Sequence, residues 1–311
     1  MTLGHGPIKM GGVLIMFCRL LIVLCVFFSC SAFAGEQLAK DIRTERKVVR
    51  VAVIGGMSVT TDLWREISRM FEADSGYRVE VVAAGPKHGL ADAMRQGRVD
   101  LLTMHSSDST TGLVADGYAV NMRPWARNDL VILGPPSDPA RIAGMKDGAQ
   151  ALRKIAMAKA NYVELQGLGK REMAHTLWKR AGIVPKGNWY LKDESEGHDD
   201  LLRFAAAHEA YVIFGRIPVQ QGKIESHNLR ILVDKDPSMR RPYIVMEANP
   251  ELFHGTNVKG ARALSDYLLS DNVQKFLGSF GKEKNGGIPF FHPVTSFHPM
   301  VSEPVSNAIR E

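Results

Sequence analysis

Several short clusters in this sequence hold side chains able to bind or move charge. Ser58, Thr60 and Thr61 stand within Gly55-Gly56-Met57-Ser58-Val59-Thr60-Thr61. Hydroxyls so closely spaced can donate together to an anion, and each alone can cap a helix. Lys87 and His88 lie in Gly85-Pro86-Lys87-His88-Gly89, a turn that opens a helix and sets a positive charge beside an imidazole. His105 closes an apolar run and precedes Ser106 and Ser107; a lone histidine there is either a structural hydrogen-bonder or a ligand contact. Gly167-Leu168-Gly169-Lys170-Arg171 is glycine-rich and basic, the composition of a plain turn or of a helix start that faces a ligand. It is not a nucleotide-phosphate loop. Glu164 stands where that motif needs its first glycine, and Arg171 where it needs a magnesium-binding hydroxyl. The run Asp193-Glu194-Ser195-Glu196-Gly197-His198-Asp199-Asp200 lacks the glycine register of a calcium loop and a helix-spaced histidine pair, so no metal is assigned to it. Arg216 follows a strand and can face a cleft or solvent.

Catalysis finds little to work with. The sequence has no G-x-S-x-G and no H-E-x-x-H, and its histidines are scattered. Cys18, Cys25 and Cys30 all fall in the first 34 residues, where Arg19, an apolar run from Leu20 to Phe28, and Ala32 and Ala34 at the small positions of a cleavage site read as a secretory signal peptide. Translation starts at Met1 or at Met16. The expected mature chain is therefore exported, cysteine-free and held together by burial alone. Losing residues 1–34 removes Lys9 and Arg19 and no acid, which leaves 37 basic against 33 acidic side chains, a net of +4. That excess is spread along the chain, which argues against a nucleic-acid partner. No catalytic residue, cofactor or metal is expected.

Elements of two kinds must position these clusters. Val48–Ile54 is a β-branched run stopped by Gly55-Gly56, the pattern of a buried strand. Leu63, Trp64, Ile67, Met70 and Phe71 then recur at helical spacing. Strands at Tyr77–Ala83 and Val99–Met104 flank a helix at Gly89–Arg95, and the alternation predicts a parallel sheet. Arg123-Pro124 and Arg127-Asn128-Asp129 break the pattern before Leu130-Val131-Ile132-Leu133, read as the crossing from a first lobe to a second. In the second, helices are predicted at 142–158, 170–181 and 199–208, and strands at 162–163 and 211–214. Strands at 229–233 and 243–248 and amphipathic helices between 258 and 281 follow. From Phe290 onward, Pro293, Pro299 and Pro304 predict an unstructured tail.

From Val48 to about Pro293 the sequence resembles the periplasmic substrate-binding proteins of ABC transporters, and within them the tungstate-binding, molybdate-like branch. The matching segments are His105, Leu113-Val114-Ala115-Asp116-Gly117-Tyr118-Ala119-Val120, Arg123-Pro124, Asn128-Asp129 and Val131-Ile132-Leu133-Gly134-Pro135. Leu177-Trp178-Lys179-Arg180-Ala181-Gly182-Ile183, Gly187-Asn188-Trp189-Tyr190, Asp236-Pro237 and Pro242-Tyr243 follow in order. The resemblance implies an α/β, two-lobed type II binding-protein fold, each lobe a mainly parallel sheet flanked by helices. Expected boundaries are 48–125 with 238–295 for the first lobe, 128–234 for the second, and 296–311 for the tail. It also implies a small anion, tungstate- or molybdate-like, held between the lobes of a periplasmic monomer that serves an inner-membrane ABC permease. The expected contacts are Ser58, Thr60, Thr61, Lys87, His88, His105, Gly169, Lys170, Arg171, Gly197 and His198. The last two enter because the matching loop of the family lies at the cleft. The sequence departs from the branch at Gly55-Gly56, where hydroxyls are expected, and at Glu164, where an arginine is expected. The alternative is a small organic ligand read by a sensor or signalling subunit.

Overall fold

The computed structural model describes Met1 and residues 47–164, 168–193 and 198–294. In chain order the first lobe runs β1 (Val48–Ile54), α1 (Gly55–Ser58), α2 (Leu63–Ser75), β2 (Arg78–Gly85), α3 (Lys87–Arg95), β3 (Leu101–His105) and α4 (Asp108–Ala115). Strand β4 (Ala119–Gly134) leads to α5 (Gly148–Ala158), β5 (Tyr162–Glu164), α6 (Leu168–Ala181), β6 (Tyr190–Lys192), α7 (His198–Ala207), β7 (Val212–Gly215), α8 (Arg216–Gln220) and β8 (Arg230–Val233). The chain returns on β9 (Arg240–Ala248) and finishes with α9 (Val258–Leu268), α10 (Asp271–Leu277) and β10 (His292–Pro293).

Local chemistry accounts for most boundaries. In α2, Leu63, Trp64, Ile67 and Phe71 form one buried stripe, and Gly76 ends the helix at φ 71°, a conformation that glycine adopts without a Cβ penalty. The helix predicted from Ile142 starts instead at Gly148. Asp147 accepts a hydrogen bond from the Gln150 N–H at 3.0 Å, and this cap fixes the start later than the apolar spacing suggests. The Asn257 side chain caps α9 in the same way, accepting from the Gly260 N–H at 3.0 Å.

The main sheet has the order β10-β4-β9-β3-β1-β2, with β7 and β8 both paired to the far half of β4. The expected α/β class and two lobes hold, while strand direction is mixed rather than mainly parallel. β1–β3 and β5–β6 are parallel, whereas β9 runs antiparallel to both β3 and β4, and β7 and β8 run antiparallel to β4. The cause is the crossing itself: β4 leaves the first lobe and β9 comes back beside it, so the two must point in opposite directions.

Two apolar cores sit on either side of this crossing. The first gathers Val51, Leu102, Val245, Trp64, Trp125, Leu264 and Phe291. The second gathers Leu130–Leu133, Ile155, Leu177, Trp178, Leu202, Tyr211 and Phe214. Between them, buried Asp129 of β4 binds His292 at 2.8 Å and Arg240 at 3.2 Å. Arg216, also buried, holds Asp234 at 2.9 Å and Asn285 at 3.1 Å. Arg216 is therefore a clamp at the crossing and not a cation offered to a cleft. The tail begins later than predicted: Phe290 and Phe291 are buried, and β10 pairs with Ala126 and Arg127, because His292 is anchored on Asp129.

Candidate functional site

Strands β1, β2 and β3 each end in a turn from which a helix departs, so α1, α3 and α4 begin together on one rim of the first lobe. α1 approaches β2 so closely that a Cβ on Gly55 would lie 3.5 Å from the Gly85 Cα. No side chain caps α3, whose N-cap is Pro86, whereas α4 begins in a capping box in which the Thr110 Oγ1 accepts from the Ser107 N–H at 3.0 Å. Uncapped helix starts present backbone N–H groups and the positive end of the peptide dipoles.

Facing this rim is α6. Ser107 and Asp108 from the first lobe and Arg171, Glu172, His175, Thr176 and Lys179 from the second line one open cleft of about 560 Å³. Arg171, His175 and Lys179 follow at four-residue intervals and so form a single stripe along the helix. Arg171 also meets Glu164 at 3.7 Å, while its Nε is buried without a partner. Burial and that same carboxylate push the Tyr190 phenol up to about 12.

Sheet geometry adds a second group of polar residues to the first lobe. Arg241 and Tyr243 are two residues apart on β9 and share a face, and Arg241 pairs in register with Asn128 of β4. Tyr243 stacks under His105 with ring centroids 4.1 Å apart, and its hydroxyl reaches the start of α1, 3.6 Å from where a Gly56 Cβ would be. Burial and then the charge of Arg241 lower the Lys87 pKa to about 8, with Asp108 opposing the shift. Burial likewise lowers Arg241 and raises Tyr243. Among the described residues, neither Lys87 nor Arg241 makes an ion pair or a side-chain hydrogen bond.

The residues singled out from sequence fall into distinct settings. Lys87 and His88 open α3, Lys87 half-buried and His88 exposed. His105 ends β3 at the rim. The Ser58 hydroxyl donates to the Ile54 carbonyl at 3.3 Å, Thr60 is half-buried just beyond it, and the buried Thr61 hydroxyl donates to the Gly56 carbonyl at 3.1 Å. Gly169, Lys170 and Arg171 lie in the first turn of α6, and Arg171 reaches the cleft. His198 opens α7, and Gly197 lies outside the described residues. Sequence reasoning passed over Asn128, Ser107, Asp108, Arg241 and the stripe continuing to His175 and Lys179. The four-residue spacing on a helix was a usable signal for that stripe. Among the described residues no group of three or more His, Cys, Asp or Glu is arranged to hold a metal ion.

Two α/β lobes joined by crossing strands, with helix starts and a basic stripe facing one another over an open cleft, define a two-lobed binding protein of the type II periplasmic-binding-protein fold. Residues 49–283 match the family of bacterial extracellular solute-binding proteins, and the chain belongs to that family. It is 32% identical over 228 residues to the tungstate-binding protein TupA of Peptoclostridium acidaminophilum, covering 72% of this chain and 78% of that one. Among solved structures it is similar to the tungstate-binding protein TupA from Desulfovibrio alaskensis G20, with TM-score 0.66, 26% identity and coverage of 80% of this chain and 99% of that one. It is also similar to the tungstate ABC transporter structure from Geobacter sulfurreducens, with TM-score 0.61, 28% identity and coverage of 75% and 98%.

Proposed function

We propose that this protein captures a tetrahedral oxyanion of the tungstate and molybdate class between its lobes and delivers it to an ABC permease of the inner membrane. The observation that carries the reading is the cleft itself: the Ser107–Asp108 helix start opposes the Arg171–His175–Lys179 stripe, and Lys87 stands beside that start without an ionic partner. The helix start, the basic stripe and Lys87 favour an anion over a neutral or cationic guest, against the carboxylates of Asp108 and Glu172 on the same lining. The names of the relatives agree with it. Residues 1–34 act as a signal peptide in this reading, the mature protein works as a periplasmic monomer without chemistry of its own, and its lobes divide at 125–128 and 234–238.

Binding would draw the lobes together because only the closed state lets both walls touch the same anion. A thermal-shift panel of tungstate, molybdate, sulfate and phosphate on the purified protein tests this. One of the four should raise the melting temperature in a concentration-dependent way and be recovered unchanged. A flat response to all four would refute it. One observation favours the alternative of a small organic ligand read by a sensor: Glu164 partly neutralises Arg171 on the second wall. A shift produced by small organic acids and by none of the oxyanions would select that alternative.

A further inference from the structure

We propose that Arg241 and Lys87, with Asn128 beside them, form a charge-reading subsite on the first lobe that selects doubly charged tetrahedral oxyanions over singly charged ones of the same shape. This rests on the oxyanion reading above and names the part of the site that would decide among oxyanions.

Three observations point to it. Lys87 and Arg241 are both partly buried and close enough to repel one another, yet neither has a bonded partner among the described residues. Folding two cations together with only Asp108 beside Lys87 to offset them costs stability that a surface location would avoid, and a bound anion reduces the cost. Next, Asn128 is only 6% exposed and its Oδ1 has no hydrogen-bond partner, although it stands opposite Arg241 in the β4–β9 register. As a cross-strand neighbour, its carboxamide lies on the face that carries the Arg241 side chain. Finally, Arg241 shares its strand face with Tyr243, whose hydroxyl lies at the start of α1, so the subsite adjoins the rim of helix starts.

Asp108, which also lines the cleft, attracts Lys87, and the imidazoles of His88 and His105 stand on the same rim. Two cations against one carboxylate leave a surplus that attracts an anion of either charge. Each added ligand charge strengthens that attraction in proportion, because Coulomb energy scales with the product of charges. Shape alone cannot make this distinction, since tetrahedral tetraoxoanions of different charge offer the same oxygens.

Tungstate and perrhenate are such a pair, with like geometry and charges of −2 and −1. Calorimetric titration of the purified protein with sodium tungstate and with sodium perrhenate should give affinities that differ by about a hundredfold or more. Arg241→Gln and, separately, Lys87→Gln should each weaken tungstate by about tenfold or more and change perrhenate by no more than about threefold. Lys87 lies at a helix start, so its variant stays informative if the strand substitution disturbs folding. Perrhenate within about threefold of tungstate in the unaltered protein would overturn the proposal while leaving the oxyanion reading in place, as would variants that weaken both ions equally. Failure of both ions to bind at millimolar concentration would overturn the two together.

Discussion

Replacing Lys87 with arginine should uncouple ligand capture from pH. Burial at the start of α3 and the nearby Arg241 hold the Lys87 ammonium at about 8, down from 10.5. A dianion docked against it supplies the missing counter-charge, so the complex keeps the proton to higher pH than the free protein does. Below pH 8 both forms are protonated and affinity is level. Above pH 8 the free protein has lost the proton and must regain it on binding, so affinity falls as pH rises. If the bound form titrates near the ordinary lysine value, the dissociation constant at pH 9 is about ten times that at pH 7, a change of about 1.4 kcal/mol. Neighbouring groups do not supply this slope: a guanidinium stays charged at pH 9, and burial raises the Tyr243 phenol. Tungstate keeps one charge state across the window. Calorimetry between pH 7 and 9.5 in two buffers of different ionisation enthalpy reads both the slope and the proton uptake. Lys87→Arg should give a level profile. A level profile in the unaltered protein, or an equal slope in the variant, would refute the reasoning. The same shift acts on folding: since the folded pKa lies below the unfolded one, the ligand-free protein should gain stability as pH rises from 8 toward 10.5.

Two further substitutions test the framework. Asp129→Ala leaves His292 and Arg240 without their shared carboxylate at a buried crossing and should cost roughly 3–5 kcal/mol, measured as a lower denaturation midpoint at neutral pH. Tyr211→Phe removes an acceptor for the Ala140 N–H at 2.9 Å and a donor to Asp138 at 2.7 Å; about 1–3 kcal/mol should be lost with an unchanged urea m-value.

Elements whose sequence signal agreed with their burial were legible in advance. Val48–Ile54 is mostly β-branched and lies in the sheet as expected, and the stripe of Leu63, Trp64, Ile67 and Phe71 packs as a helix. The crossing near Leu130–Leu133 was visible, but its true length was not. Pro124 and the charged Arg127-Asn128-Asp129 read as a break, whereas the strand continues through them with a register shift between Pro124 and Ala126. Proline also disguised the end of the fold, where Phe290 and Phe291 are core residues. Lys87 and Arg171 were legible as candidates because cations at helix starts have a short local signature. Thr61 shared the local signature of a donor, but its hydroxyl turns to the Gly56 carbonyl. Arg241 was not legible as a candidate, for a non-local reason. It adjoins Arg240, and alternation sends neighbouring strand residues to opposite faces, so which arginine meets the ligand side depends on pairing with residues more than a hundred positions earlier.

Strand β9 has a bearing on how the chain is made. It is inserted between β3 and β4, and it joins the sheet only after the whole second lobe has been synthesised. Until residue 248 leaves the ribosome, the first lobe has two open strand edges and lacks Tyr243, Ile244, Val245 and Met246 from its interior. A nascent chain in that condition cannot lock its earlier half. It stays pliable through most of translation and commits to its final shape in one late step.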